Sequence, residues 1–192
     1  MKTHTLKFLC CTLLLAFGCS QRTPEEIATD NAACTQCAYL LASKRMKLYP
    51  FSAATEIQMI SWDETLDTIN GKLKSQQLSF EQENDTVCYS KCKEIKTLDK
   101  KQIDQLSFLM YNIGLKDTTA KLPESGCYAP RNAIVFLDKR GKILESIEVC
   151  FNCDQVQYSD NVSLGQMCAQ KMDILRVLFR HVGVLYGTTK RT

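Results

Sequence analysis

Histidine is nearly absent: the 192 residues contain two, His4 and His181. A Ser-His-Asp or Cys-His catalyst needs an imidazole base within hydrogen-bond reach of its nucleophile, so any such machinery would rest on a single side chain. His181 lies in "LFRHVG", at the end of an expected helix, where a cation suits the negative pole of the helix dipole. That capping role is the reading adopted. Imidazole-rich zinc or copper sites are excluded by the same count. A Gly-rich phosphate loop, G-x-S-x-G and H-E-x-x-H are also missing. No catalytic residue, no metal ligand and no cofactor is therefore assigned. Charge of one sign is not in excess either, with 24 Lys and Arg against 21 Asp and Glu, scattered along the chain. A nucleic-acid partner would demand a basic patch or stripe, and none is expected.

Long apolar runs are lacking too. The longest uncharged one, Phe8 to Gly18, is 11 residues, where a bilayer span needs ~20. With Lys2 and Lys7 before it and small residues Ala16 and Gly18 at its end, it has the three parts of a secretory signal. The run "LLLAFGC" resembles a bacterial lipobox, in which Cys19 is acylated and becomes the new N-terminus. Cleavage at the same bond without lipidation is the alternative. The expected organisation is a signal peptide over 1–18, a lipidated tether over 19–31 ("SQRTPEEIATDN" following Cys19) and one disulfide-linked domain over 32–192. Removing 18 residues leaves 174, nearly neutral and enough for one domain with its own core.

What the chain does have is cysteine. Of 11, two fall in the signal and one is Cys19, leaving Cys34, Cys37, Cys88, Cys92, Cys127, Cys150, Cys153 and Cys168. An even number in an exported chain reads as a disulfide framework. Zinc held by C-x-x-C plus C-x-x-x-C is one rival. The other is a thiol–disulfide oxidoreductase using Cys150 and Cys153, although "DQVQYSDN" after "CFNC" is turn-like and is not the helix start such a centre uses.

Periodicity places these residues in an α+β fold. A helix is expected from Glu25 to Lys47, before Pro50, and a strand over "TEIQMISW" (Thr55 to Trp62). The following stretch reads as a short helix or a loop up to Asn70-Gly71 and then a strand, and "TVCYSKCKEIKTL" as another. Asp99 with Gln102 makes a capping box for a helix whose apolar face is Ile103, Leu106, Met110 and Ile113, ended by Gly114. "NAIVFLD" and "ILESIEVCF" form a hairpin about Arg140-Gly141. Ser163 with Gln166 opens a helix striped by Leu164, Cys168, Met172, Leu175, Phe179 and Val182 and closed by Gly183. The result is a two-layer sandwich, a mainly antiparallel sheet covered by helices, arranged as two strand-strand-helix units. The helix ends "LSFLMYNIGL" and "LRVLFRHVGV" align without gaps, as a diverged duplication would.

Folding the hairpin brings Cys127 beside Cys150 and Cys153, with Cys168 on the covering helix. The expected bridges are Cys127–Cys150 with Cys153–Cys168, or the same four with partners exchanged. Cys34 and Cys37 would then bridge to Cys88 and Cys92. Arg131, after Pro130, is expected to support this corner through carbonyls freed at the hairpin end, with anion binding as the alternative.

The segment "CYAPRNAIVFLDKRGKILESIEVCFNC", followed by a Cys-containing helix ending near "VGVLYG", resembles a group of small exported proteins and lipoproteins from Bacteroidetes-type bacteria. That group carries a C-Y-x-P-R segment, a hairpin and a C-F-x-C; "TEIQMISW" and "LDKKQIDQLSFLMYN" also fit, so the resemblance spans roughly residues 54–187. It implies export and the cysteine corner at Cys127, Cys150, Cys153 and Cys168, and implies no activity. The pairs Cys34/Cys37 and Cys88/Cys92 stand outside its pattern. The functional expectation is a cell-envelope lipoprotein, held to a membrane by its N-terminal lipid and acting as a non-enzymatic module for an unknown protein or small ligand.

Overall fold

The computed structural model describes residues 30–189 apart from 31, 64, 70–71, 78, 118 and 120–126, with the backbone alone described for 65–69 and 72–77. The expected signal peptide, the cleavage site at Cys19 and nearly all of the tether lie outside the described residues. In chain order the elements are β1 (Cys34–Gln36), α1 (Ala42–Arg45), β2 (Glu56–Trp62), β3 (Thr65–Ile69), β4 (Lys72–Gln77), β5 (Gln82–Glu83), β6 (Thr86–Val87) and β7 (Cys92–Thr97). There follow α2 (Lys100–Asn112), β8 (Ile113–Leu115), β9 (Asn132–Leu137), β10 (Ile143–Cys150), β11 (Gln155–Tyr158) and α3 (Lys171–Val182).

Five strands make one antiparallel sheet in the order β11-β10-β9-β2-β7. The period-2 alternation of strand side chains explains its two faces. Ile57, Met59, Ile134, Phe136, Ile147 and Val149 point to the helices and pack with Leu106, Leu109, Met110, Leu175 and Phe179. Ile60, Trp62, Ala133, Val135 and Leu137 point the other way, under Phe80 and Val87. The central strand β9 is thus buried on both faces, which is why "NAIVFL" is a nearly unbroken apolar run. The α+β layering follows the sequence reading, with the helices α2 and α3 on one face. The second face has its own smaller cluster, an addition to two plain layers.

Several boundaries differ from expectation. The helix expected over Glu25 to Lys47 is, within the described residues, strand β1, an extended stretch and the four-residue α1. Tertiary partners override local propensity here: β1 pairs with β8, and the Asn112 side chain accepts from Leu40 N–H at 3.1 Å and donates to Leu40 O at 3.0 Å. Thr65–Ile69, expected as a short helix or a loop, is strand β3, paired with the expected strand, β4 (Lys72–Gln77). "TVCYSKCKEIKTL" is broken by a 3-10 turn at Tyr89–Lys91, so β7 begins only at Cys92.

The capping box forms as read. Asp99 accepts from Gln102 N–H at 2.8 Å while Gln102 Oε1 accepts from Asp99 N–H at 2.9 Å, a pattern worth about 1 kcal/mol. At the far end α2 does not stop at Gly114. It passes directly into β8, where Gly114 pairs with Thr35. The aligned Gly183 has a different role, ending α3 in the left-handed conformation at φ 96°. The matching helix ends are therefore continued in two unlike ways. The second helix also begins later than Ser163, at Lys171. Gly165 (φ 69°) explains the delay: a Cβ there would stand 2.2 Å from Met110 O, so the chain crosses the end of α2 as irregular backbone that only glycine permits.

Candidate functional site

The structure joins Cys34 to Cys168, with Cα atoms 5.0 Å apart, and Cys127 to Cys153, with Cα atoms 5.8 Å apart. Cys37, Cys88, Cys92 and Cys150 are unbridged. The expected Cys127–Cys150 and Cys153–Cys168 bridges are not formed; Cys127 takes the exchanged partner Cys153, and Cys168 leaves the corner for Cys34. The physical reason is the late start of α3. Cys168 precedes the helix and faces β1, packing with Ala32 and Leu115, and the backbone there is tied by Ala169 N–H to Ala32 O at 2.8 Å. Cys34 is thereby taken and does not reach Cys88 or Cys92. Those two thiols flank the 3-10 turn before β7, and burial with the neighbouring Cys88 pushes the Cys92 thiol up to about 11.

At the hairpin end, Cys150 is the last residue of β10 and is 1% exposed. Its Sγ donates to Ala129 O at 3.3 Å and accepts from Ala129 N–H at 3.4 Å. The chain then turns, Cys153 N–H donating to Cys150 O at 3.3 Å. Behind Cys150, Tyr128 OH donates to Glu148 at 3.2 Å. Burial pushes both of these groups toward their neutral forms, raising the Glu148 carboxyl and the Tyr128 hydroxyl. The corner is pinned to α3 by Arg176, which Cys168 was expected to do. Arg176 donates to Phe151 O at 3.3 Å and pairs with Asp154 at 3.1 Å, while Phe151 packs edge-on against Phe179 at 5.3 Å. Arg131 is buried, its guanidinium 5.8 Å from the Tyr186 ring centre.

Beside the other bridge lies a buried cation that the sequence reading missed. Lys171 is 0% exposed; its Nζ donates to Ile113 O at 2.8 Å and Gln166 O at 2.9 Å. Burial pulls its ammonium down to about 8, opposed by nearby Cys37. Nothing in "CAQKMDIL" distinguishes this lysine from a solvated one.

A concave apolar surface, a trough of about 390 Å³, lies between α2 and α3. Phe108, Leu109, Ile174, Val177 and Leu178 line it, with Asp104, Gln105 and His181 at its rim. Leu109 and Leu178 are buried at its floor, whereas Ile174 is 42% and Val177 66% exposed. Arg45 backs the α2 wall. It lies 5.4 Å from the Phe108 ring centre, donates from Nε to Ser107 Oγ at 3.0 Å and pairs with Asp104. A signal for this trough was present in the sequence: Ile174 and Val177 are apolar, three apart, and off the stripe of Met172, Leu175 and Phe179. His181, read as a helix cap, is in the last turn of α3 and at this rim.

No family model, no curated protein and no solved structure matches the chain. Among the described residues, no group of three or more His, Cys, Asp or Glu is placed to hold a metal ion, and no helix is long and apolar enough to cross a membrane. The disulfides are compatible with an extracellular or periplasmic protein, since such bonds persist in oxidising compartments.

Proposed function

We propose that this protein is an exported lipoprotein of the cell envelope, anchored through Cys19, whose domain is a non-enzymatic binding module. The trough between α2 and α3 carries the reading. It is floored by the buried side chains of Leu109 and Leu178. Two apolar residues spaced three apart stand exposed on one wall. Such a shape suits the apolar face of an amphipathic segment from a partner polypeptide, which docks through anchors at helical spacing. The polar rim would orient the segment, and the core packing of Leu106, Leu109, Leu175 and Phe179 against the sheet holds both walls in place.

Two experiments test this. Val177→Glu places a charge in the trough at an exposed position, so thermal unfolding should hardly change. Enhancement of 8-anilinonaphthalene-1-sulfonate fluorescence by the native domain should be lost in that variant. Equal enhancement in both proteins would remove the trough from the reading. For the anchor, Cys19→Ser should leave the signal uncleaved and abolish acyl mass. One acyl chain holds a protein to a membrane only marginally, and stable anchoring takes two signals. Normal cleavage and unchanged membrane fractionation of the Cys19→Ser protein would exclude lipidation.

A further inference from the structure

Three cysteines meet at the end of the β9–β10 hairpin, and only two of them are bonded. Cys153 is joined to Cys127 across a Cα separation of 5.8 Å. Cys150 opens, and Cys153 closes, a four-residue turn held by the Cys153 N–H to Cys150 O hydrogen bond of 3.3 Å. A turn of that kind holds its end Cα atoms within about 7 Å, close to the ~4.4–6.8 Å that a disulfide spans. The backbone therefore brings a second cysteine within bridging reach of Cys153. Cys150 and Cys127 are themselves linked through Ala129, whose N–H and C=O both contact the Cys150 sulfur at 3.4 and 3.3 Å. The Ala129 N–H is a donor that a thiolate there would accept. The three sites differ in exposure: Cys150 and Cys153 are buried, and Cys127 is exposed.

We propose that Cys127, Cys150 and Cys153 form a thiol–disulfide exchange site, in which Cys150 displaces Cys127 from Cys153 and presents Cys127 as an exposed thiol to a disulfide-bearing molecule. In the internal step local opening of the corner frees the buried Cys150 thiol from Ala129 O and admits water, which takes its proton as the sulfur attacks Cys153 Sγ. The Cys150–Cys153 bond forms as the Cys127–Cys153 bond breaks. The electron pair leaves on Cys127 Sγ, which is protonated from solvent. One disulfide and one thiol stand on each side, so no oxidant or reductant is consumed. In the external step the Cys127 thiolate attacks one sulfur of the incoming disulfide, forming a mixed disulfide and releasing the other half as a thiolate. The buried sulfurs keep the structural bond, and the exposed one meets the partner.

Oxidised glutathione, a simple disulfide, is the probe. The native mature chain is incubated with it, quenched with acid, alkylated and mapped without reduction. Glutathione on Cys127 together with a Cys150–Cys153 bridge is expected. In Cys150→Ser the Cys127–Cys153 bridge should persist and the Cys127 adduct should be lost. Cys150→Ala, which puts no hydroxyl in that buried position, serves as a second variant, and the Cys34–Cys168 bridge reports folding in both. Three results would overturn the proposal: glutathione on Cys150 beside an intact Cys127–Cys153 bridge, no adduct at any of the three, or a Cys127 adduct undiminished without Cys150. The map of the native chain decides the matter even where a variant fails to fold.

Discussion

Cys168→Ser is expected to lower the free energy of unfolding by about 2–5 kcal/mol, and Cys34→Ser by nearly the same amount. The two changes break one bond, so the double variant should be little worse than either single one. The bridge joins residues 134 apart, against 26 for Cys127–Cys153. In the chain-entropy account the longer loop is worth ~5 kcal/mol and the shorter ~3.5, so the Cys34–Cys168 variants should be the less stable set by about 1.5 kcal/mol. Denaturant unfolding of the oxidised proteins measures this. The informative cross-test combines Cys153→Ser with Cys168→Ser. These residues sit in different bridges, so their effects should add. Non-additive losses would restore the pairing of Cys153 with Cys168.

The second large effect is one of pH. The Lys171 ammonium is held at about 8 by burial, where an unfolded lysine titrates near ~10.4. A depressed lysine binds fewer protons folded than unfolded between these values, so folding stability rises with pH across that window. The penalty for burying the charge is complete below about 8 and gone above ~10.4. Other groups titrate in the same range, among them Cys92 at about 11, so the comparison must be made against Lys171→Met, which carries no charge at this position. Native stability relative to that variant should climb by up to about 1.4 kcal/mol per pH unit between pH ~8 and ~10. The neutral amine keeps two N–H donors for the carbonyls of Ile113 and Gln166, so deprotonation need not break either hydrogen bond. A difference that stays flat across the window would show the ammonium to be solvated.

The parts of this fold that were legible in the sequence are those dictated by near neighbours. "TEIQMISW" and the hairpin about Arg140-Gly141 declare their strands by short apolar runs bounded by turn residues, and Asp99 with Gln102 declares the start of α2 because both halves of the capping box lie within one turn. What failed was set by distant partners. "ACTQC" has no local reason to be extended; it is so because β8, far along the chain, offers a ladder. Ser163 with Gln166 looks like a helix start, but Gly165 must cross Met110 O at close range. The cysteine pairing failed with it, since Cys168 leaves the helix stripe once α3 begins at Lys171. The trough between α2 and α3 is the opposite case. Ile174 and Val177 carry a local signal, an apolar pair outside the core stripe, that went unread, and what had to come from three dimensions was the second wall, Phe108 held by Arg45.

The bridge between Cys34 and Cys168 encloses all five strands of the sheet, β2 through β11, within one covalent loop. A pull applied between the two ends of the chain enters at Cys34 and leaves at Cys168 through sulfur, and the residues in between carry no tension. The sheet is mechanically silent. The load falls on α3, which lies just outside the loop and whose Ile174, Val177 and Leu178 form one bank of the trough. Stretching would peel α3 away while the sheet stayed closed, so tension on the ends would open the apolar trough while the five strands stayed paired.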